Sequence, residues 1–423
     1  MSARVDPMGS SDHLESGAAL VRSSLDACIK CTICESACPF AVATPLFPGP
    51  KTVGPQAERF RSGLSSADWS VDYCSGCGIC SRVCPQGVRI AEINAQARAR
   101  LKERTGIPLR DQLLARPDVM GRLGQPVAPL FNRAVETPAV RTIMERTLGI
   151  HRSAAIPRVS PRTFQSWSRR HPPAPGPDRV VYFHGCSVNH FEPRLGRMVV
   201  AVLEHQGLRV DVPEQGCCGL PLQSNGNFPA ARRYLTRLAH RLAAAADVSV
   251  IASSTSCGLM LKREGREILG VDDPALADVS RRTWDIFEFL RDLHERGLLR
   301  TDLQPVDLCV AYHAPCQQQN HLMGKPAIDI LSLVPGLRII ELERDCCGVA
   351  GTYGLKREKH DISMSVGEDL FHDIRGLEPD AVLCDSEACR WQIAKATGYP
   401  VVHPVEILHR AYSGGGRPPR ARG

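Results

Sequence analysis

Cys28, Cys31, Cys34 and Cys38 are followed by Pro39, and the same spacing returns at Cys74, Cys77, Cys80 and Cys84 with Pro85. Cysteines three residues apart on a tight loop aim their thiolates at one cubane. The fourth, carried on the helix that follows, reaches a neighbouring cluster where two such motifs share a domain. The ligand sets are therefore expected to cross: Cys28, Cys31, Cys34 and Cys84 at one [4Fe-4S] cluster, and Cys74, Cys77, Cys80 and Cys38 at the other. Zinc fits this pattern poorly, because zinc sites pair two C-x-x-C hairpins at a distance and have no use for three successive turns ending in Cys-Pro. The insert Thr44 to Trp69 carries Pro45, Pro48, Gly49, Pro50, Gly54 and Pro55, and is expected to be an ordered loop wrapping the cluster domain. No Cys-x-x-Cys-His occurs, which excludes covalent haem.

A second cysteine pattern fills the back half, and it is duplicated. Cys186, Cys217-Cys218-Gly219 and Cys257 recur as Cys316, Cys346-Cys347-Gly348 and Cys389, at offsets of 130, 129 and 132 residues. In the first repeat, short apolar runs (Val180 to Phe183, Leu208 to Val212, Val248 to Ile251) alternate with amphipathic ones (Pro193 to Gln206, Pro229 to Ala246). That alternation predicts βαβ units and a mostly parallel sheet, in which ligands gather beyond the carboxyl ends of the strands. Cys186, Cys217, Cys218 and Cys257 should meet on that edge as one metal site, and Cys316, Cys346, Cys347 and Cys389 as another. Neighbouring side chains on a strand point oppositely, so a Cys-Cys pair facing one centre needs a turn, and Gly219 or Gly348 permits it. Cys309, in the apolar run Leu308 to Tyr312, has no counterpart and reads as a core residue. His184 and His313 read as loop residues or hydrogen-bond donors to the metal ligands, and not as ligands.

The other constraints are compositional. At 43% apolar and 23% charged residues, the 423-residue chain is globular and long enough for several domains. All but two of its 18 cysteines fall in tight groups, which argues for metal ligation in a reducing compartment over a disulfide scaffold. Asp6, Asp12 and Glu15 stand where a secretion signal would be basic and then apolar, and no run of 18 uncharged apolar residues occurs, so a cytoplasmic protein that does not span a membrane is expected. Residues 1 to 177 hold 23 Lys/Arg against 14 Asp/Glu, concentrated between Arg98 and Arg170, where 15 basic residues face 5 acidic ones. Pro117, Pro126, Pro138, Pro157 and Pro161 break this stretch, which reads as a connector. Its charge suits water, anionic lipid or an acidic partner subunit. Its few aromatics do not make a stacking platform for nucleic acid. The expected organisation is a multidomain α+β and α/β chain: a helical two-cluster ferredoxin-like domain (1–105), a basic Pro-rich connector (106–177), and two duplicated α/β domains (178–300 and 301–423). No GxGxxG fingerprint or catalytic triad stands out, so the chain is expected to carry electrons without being a self-sufficient enzyme.

Two ferredoxin-type motifs followed by two Cys-Cys-Gly (CCG) domains resemble, over nearly the whole chain, the iron-sulfur, CCG-domain subunits of anaerobic glycerol-3-phosphate dehydrogenase. Local wording agrees: Cys28-Ile-Lys-Cys31-Thr32, Pro48-Gly-Pro-Lys51, Phe183-His-Gly-Cys186, Cys346-Cys-Gly-Val-Ala-Gly-Thr-Tyr-Gly354 and Trp391-Gln392. The wider family includes heterodisulfide reductase and the iron-sulfur subunits of glycolate and lactate oxidases. The resemblance implies electron transfer from a flavin dehydrogenase partner to menaquinone, with this subunit bound peripherally at the inner face of the cell membrane. It also implies iron-sulfur centres of unknown type in the CCG domains. The chain departs from the family pattern at Ser254 and Ser386, which stand where the closing C-x-x-C of a full CCG domain has its first cysteine. In the second repeat, Cys384 is the alternative source of that thiolate.

Overall fold

The computed structural model describes residues 17–61, 68–245 and 247–414. Asp6, Asp12 and Glu15 and positions 62–67 of the long insert lie outside the described residues.

Two four-stranded, all-parallel sheets form the back half. The first contains β1 (Arg179–Phe183), β2 (Arg209–Asp211), β3 (Ser249–Ala252) and β4 (Thr283–Asp285), ordered β2-β1-β3-β4. The second contains β5 (Leu308–His313), β6 (Leu337–Leu342), β7 (Ala381–Leu383) and β8 (Val401–Val402), ordered β6-β5-β7-β8. The central strands are buried on both faces, which is why they read as continuous apolar runs without alternation. Registers correspond, with Tyr182 opposite Ile251 in one sheet and Tyr312 opposite Leu383 in the other. Each Tyr hydroxyl reaches, at 2.7 Å, the residue two past its register partner, Ser253 in the first repeat and Asp385 in the second. In this order the chain reverses its direction of winding between β1 and β3 and between β5 and β7, so a crevice opens there at the carboxyl edge.

The main helices are α1 (Ile90–Thr105), α2 (Leu109–Leu114), α3 (Pro117–Gly124), α4 (Ala128–Glu136), α5 (Pro138–Leu148), α6 (Pro193–His205), α7 (Phe228–Ala243), α8 (Ile286–Glu295), α9 (His360–Leu377), α10 (Glu387–Thr397) and α11 (Pro404–Ser413). The two repeats share one apolar core. Tyr182, Leu203, Ile251 and Phe287 belong to the same buried cluster as Tyr312, Leu383 and Leu408, and α11 of the second repeat packs on α6 of the first. The repeats therefore stabilise each other.

The basic stretch is not an open connector. It folds into α2 to α5, because Pro117 and Pro138 each open a helix, where a missing N–H costs nothing and the fixed φ is already helical. Sequence alone reads those prolines as breaks. A buried ion pair ties this layer to both repeats: Lys356 Nζ donates to Asp111 of α2 at 2.9 Å and to Asn225 at 2.8 Å. Burial opposes ionisation of Asp111, but Lys356 and Arg110 overcome it and hold its carboxyl below the ordinary value.

The front domain docks on the second repeat. Asn320 donates to Cys77 O at 2.8 Å, Lys359 Nζ reaches Asp72 Oδ2 at 3.0 Å, and Phe40 meets Tyr353 edge-on at 5.1 Å between ring centres. The described part of the insert packs inward, burying Phe47 and Val53.

The Asp111–Lys356 pair yields a prediction. Asp111→Ala should destabilise the protein by about 3–5 kcal/mol, because it strands a buried ammonium. The double variant Asp111→Ala with Lys356→Met should recover much of that loss in the same denaturation experiment.

Candidate metal centres

Each front motif bends through two left-handed residues at equivalent places, Lys30 (φ 61°) and Thr32 (φ 70°) in the first, Gly76 (φ 72°) and Gly78 (φ 82°) in the second. A left-handed β-branched threonine costs about 1–3 kcal/mol and persists only where the surroundings demand it. The bend is followed by one helical turn, Ile33–Ser36 or Ile79–Arg82, which carries the third cysteine inward. One small cavity is bordered by Cys28, Cys31, Cys34 and Cys84, and a second by Cys38, Cys74, Cys77 and Cys80. The cysteines that line each cavity therefore come from both motifs. Burial pushes the Cys34 thiol up to about 11, helped by Glu35, Cys84, Cys28 and Cys31. Burial likewise pushes Cys38 up to about 11, against backbone N–H groups and with Cys74 adding to the rise. Thiols that discourage each other's ionisation in this way are a poor resting state without a cation, and a metal deprotonates them outright. The donor set fits iron-sulfur clusters on that ground.

In the first repeat, Cys186 follows β1, Cys217 and Cys218 follow β2, and Cys257 follows β3, so all four sit at the crevice edge. Cys186 Sγ lies 3.7 Å from Cys217 Sγ, and Cys218 Sγ lies 3.3 Å from Cys257 Sγ. The turn that lets an adjacent pair face one place is Gly219 (φ 85°), and Gly348 (φ 84°) repeats it. Their amides donate back to Cys217 and Cys346 Sγ at 3.4 and 3.3 Å. In the second repeat, Cys346 neighbours Cys316, and Cys347 neighbours Cys389. Cys389 also adjoins Cys384 and is held well below its ordinary value by Cys347 and Cys384, with a smaller pull from His313.

Ser254 Oγ lies 3.1 Å from both carboxylate oxygens of Glu387, across the junction of the repeats, whereas Ser386 holds the N-cap position of α10 with no side-chain capping bond. Cys309 sits at the opposite end of β5, half-buried, with its sulfur accepting from Arg338 at 3.1 Å. His184 bonds Gly185 O and Gln165 Oε1, and burial lowers it to about 4.

Beside the first repeat's thiols lies a feature that motif spacing did not disclose. A cavity of about 240 Å³ has Cys186, Cys217 and Cys257 at one side, and Leu114, Met120, Phe131 and Met144 of α2 to α5 with Trp391 of α10 at the other. Asp118 of α3 faces Cys217, and burial together with that thiol pushes its carboxyl up. The amphipathic stripes of α3 and α4 were the available signal, hidden by the prolines between them.

This architecture is that of an iron-sulfur protein with a duplicated cysteine-rich domain. Residues 24–88 match the 4Fe-4S dicluster domain family, and residues 180–262 and 310–394 each match the cysteine-rich CCG domain family. Over 400 residues the chain is 36% identical to a subunit of anaerobic glycerol-3-phosphate dehydrogenase from Escherichia coli K12, spanning 92% of this chain and 99% of that one. It is 31% identical over 252 residues to a subunit of the fumarate reductase (CoM/CoB) of Methanothermobacter marburgensis, covering 56% of this chain and 47% of the relative. It is 28% identical over 238 residues to lactate utilization protein A of Bacillus licheniformis, covering 55% and 97%. The chain belongs to the family of the Escherichia coli protein, the iron-sulfur subunits of anaerobic glycerol-3-phosphate dehydrogenase.

The Cys-Cys-Gly turns can be tested directly. A Cβ on Gly348 would lie 1.9 Å from Ser363 O, whereas one on Gly219 would lie 2.9 Å from Ala231 O. Gly348→Ala should therefore cost about 2–4 kcal/mol from overpacking and a left-handed φ together. Gly219→Ala should cost less, both read by chemical denaturation.

Proposed function

We propose that this chain carries electrons from a flavin-bearing dehydrogenase partner, of the glycerol-3-phosphate type, to menaquinone in the membrane. The observation that supports this reading is the continuity of the thiol groups. Cys38, Cys74 and Cys77 share one buried cluster with Cys316 and Cys346, so the second front site abuts the second repeat, and the first repeat's thiols border the apolar cavity. On this reading Cys28, Cys31, Cys34 and Cys84 hold one [4Fe-4S] cluster and Cys74, Cys77, Cys80 and Cys38 the other. The eight CCG cysteines from Cys186 to Cys389 hold further iron-sulfur centres. Clusters bound there supply one-electron carriage.

The residues at the two ends suit the two partners. At the front, Cys31 is exposed, and Ile29, Ile33 and Val42 stand exposed near it, a surface for the dehydrogenase to cover. At the back, the cavity is walled by apolar side chains, as an isoprenoid quinone requires. The helices over it expose Leu123, Leu130 and Ile143 among Arg122, Arg133 and Arg146. No helix among the described residues is long and apolar enough to cross a membrane, so contact with lipid is made at the interface, by apolar insertion and charge. A reductase acting on a disulfide, or service to a lactate or glycolate oxidase, is the second reading. The relatives that favour it match only about half of this chain.

Two experiments test the proposal. Cys84→Ser in anaerobically purified protein should damage the cluster of Cys28, Cys31 and Cys34 in the spectrum. Loss confined to the Cys74 cluster would refute the crossed ligand sets. Flotation with anionic liposomes should show binding at low salt that fades as the screening length shortens. Binding that is absent at low salt, or equal with neutral lipid at high salt, would assign the basic helices to the dehydrogenase interface instead.

A further inference from the structure

His184 follows the end of β1, whereas His313 is the last residue of β5 and stands where the first repeat has Phe183, one position before His184, and their surroundings differ. Both ring nitrogens of His184 are engaged by protein oxygens, Gly185 O at 2.7 Å and Gln165 Oε1 at 3.0 Å. His313 is completely buried, and neither of its ring nitrogens has a hydrogen-bond partner. One ring nitrogen lies within 4.8 Å of the sulfurs of both Cys347 and Cys389, which lie within that distance of each other. A buried polar group left unpaired costs about 1–3 kcal/mol, and the groups facing this ring are the thiols of Cys347 and Cys389. A metal held by the two thiolates would offset that cost, because neutral imidazole presents a lone pair to a cation.

We propose that His313 is a ligand of the second CCG centre, which is then a mixed thiolate-imidazole site, while the first repeat's centre is thiolate only. The proposal rests on the reading that the CCG cysteines hold iron-sulfur centres, and goes beyond it by adding a donor. It bears on the departure from the full cysteine pattern at Ser386: where that residue supplies no thiolate, His313, three residues before Cys316, adds a donor. A neutral ligand in place of an anionic one leaves less negative charge on the iron, and imidazole ligation raises reduction potential for the same reason in other iron-sulfur proteins. The second repeat's centre therefore takes up electrons more readily than a purely thiolate centre would.

The experiment uses the complete chain, purified anaerobically with and without ¹⁵N-histidine and poised where the CCG-associated signal appears in pulsed electron paramagnetic resonance. The expected result is a nitrogen coupling of directly bound strength that changes with the label, disappears in His313→Gln and persists in His184→Gln. The signal of His313→Cys should shift to lower potential, because it puts an anionic thiolate in place of the neutral imidazole. Coupling that is weak and insensitive to the label would overturn the ligand. That readout uses unmodified protein, so it holds even where the variant folds poorly. An unchanged signal in His313→Gln would overturn it as well. Iron and sulfide analysis of the same sample separates the two layers. Iron beyond the front clusters without histidine coupling refutes the ligand alone, whereas no iron beyond those clusters refutes the underlying reading and the ligand with it.

Discussion

Sulfur atoms buried 3.3 to 3.7 Å apart, as in the pairs Cys218–Cys257 and Cys186–Cys217, make a demand that the rest of the fold is organised to meet. Their charges cannot coexist away from water without a cation, and their side chains must converge from segments far apart in sequence. A parallel sheet solves the second problem, since every strand delivers its following residue to the same edge. The adjacent-cysteine turn then requires a left-handed glycine, and the crevice must be closed from above. In the first repeat the basic helices close it. In the second, the front domain does, with Asn320 and Lys359 fastening the cluster loops in place.

Much of this was legible in the residues. Strands expected at Val180 to Phe183 and Val248 to Ile251 appear within a residue of those bounds, because strands buried on both faces leave an uninterrupted apolar signature bounded by polar turns. The convergence of the CCG cysteines followed from the same strands. What stayed hidden depended on contacts between segments. Thr283–Asp285 and Val401–Val402 are too short to show a period. Pro117 and Pro138 carry the same letter whether they stop a helix or start one, and only the neighbours of α3 and α5 decide. Ser254 looked like a lost ligand, while its partner Glu387 lies in the other repeat. His184 stands two residues before Cys186 and His313 three before Cys316, a one-residue difference whose consequence shows only in the fold, where Gln165, from the segment before β1, reaches His184.

The duplication itself explains why the repeats could diverge. Because Tyr182, Ile251 and Leu203 share a core with Tyr312, Leu383 and Leu408, neither sheet needs an identical edge to be stable, and stability is insensitive to which donors line each crevice. Cys384 has Ala252 as its counterpart, and His313 is free of the oxygen partners that hold His184. The two edges keep one geometry with different chemistry.

That asymmetry matches what each edge touches. The second repeat abuts Cys77 of the front domain, across a buried cluster containing Cys316 and Cys346, where one protein-held group faces another. The first repeat faces an apolar cavity under basic helices, where a mobile partner of low polarity can approach. In the proposed direction of flow, a centre next to the front clusters gains from drawing electrons inward, which a neutral imidazole among thiolates favours. A centre beside the cavity gains from giving them up, which anionic thiolates without a histidine favour. On the proposed reading, His313 at the second edge, where the first repeat has Phe183, puts these opposing tendencies on the two edges where each would help transfer.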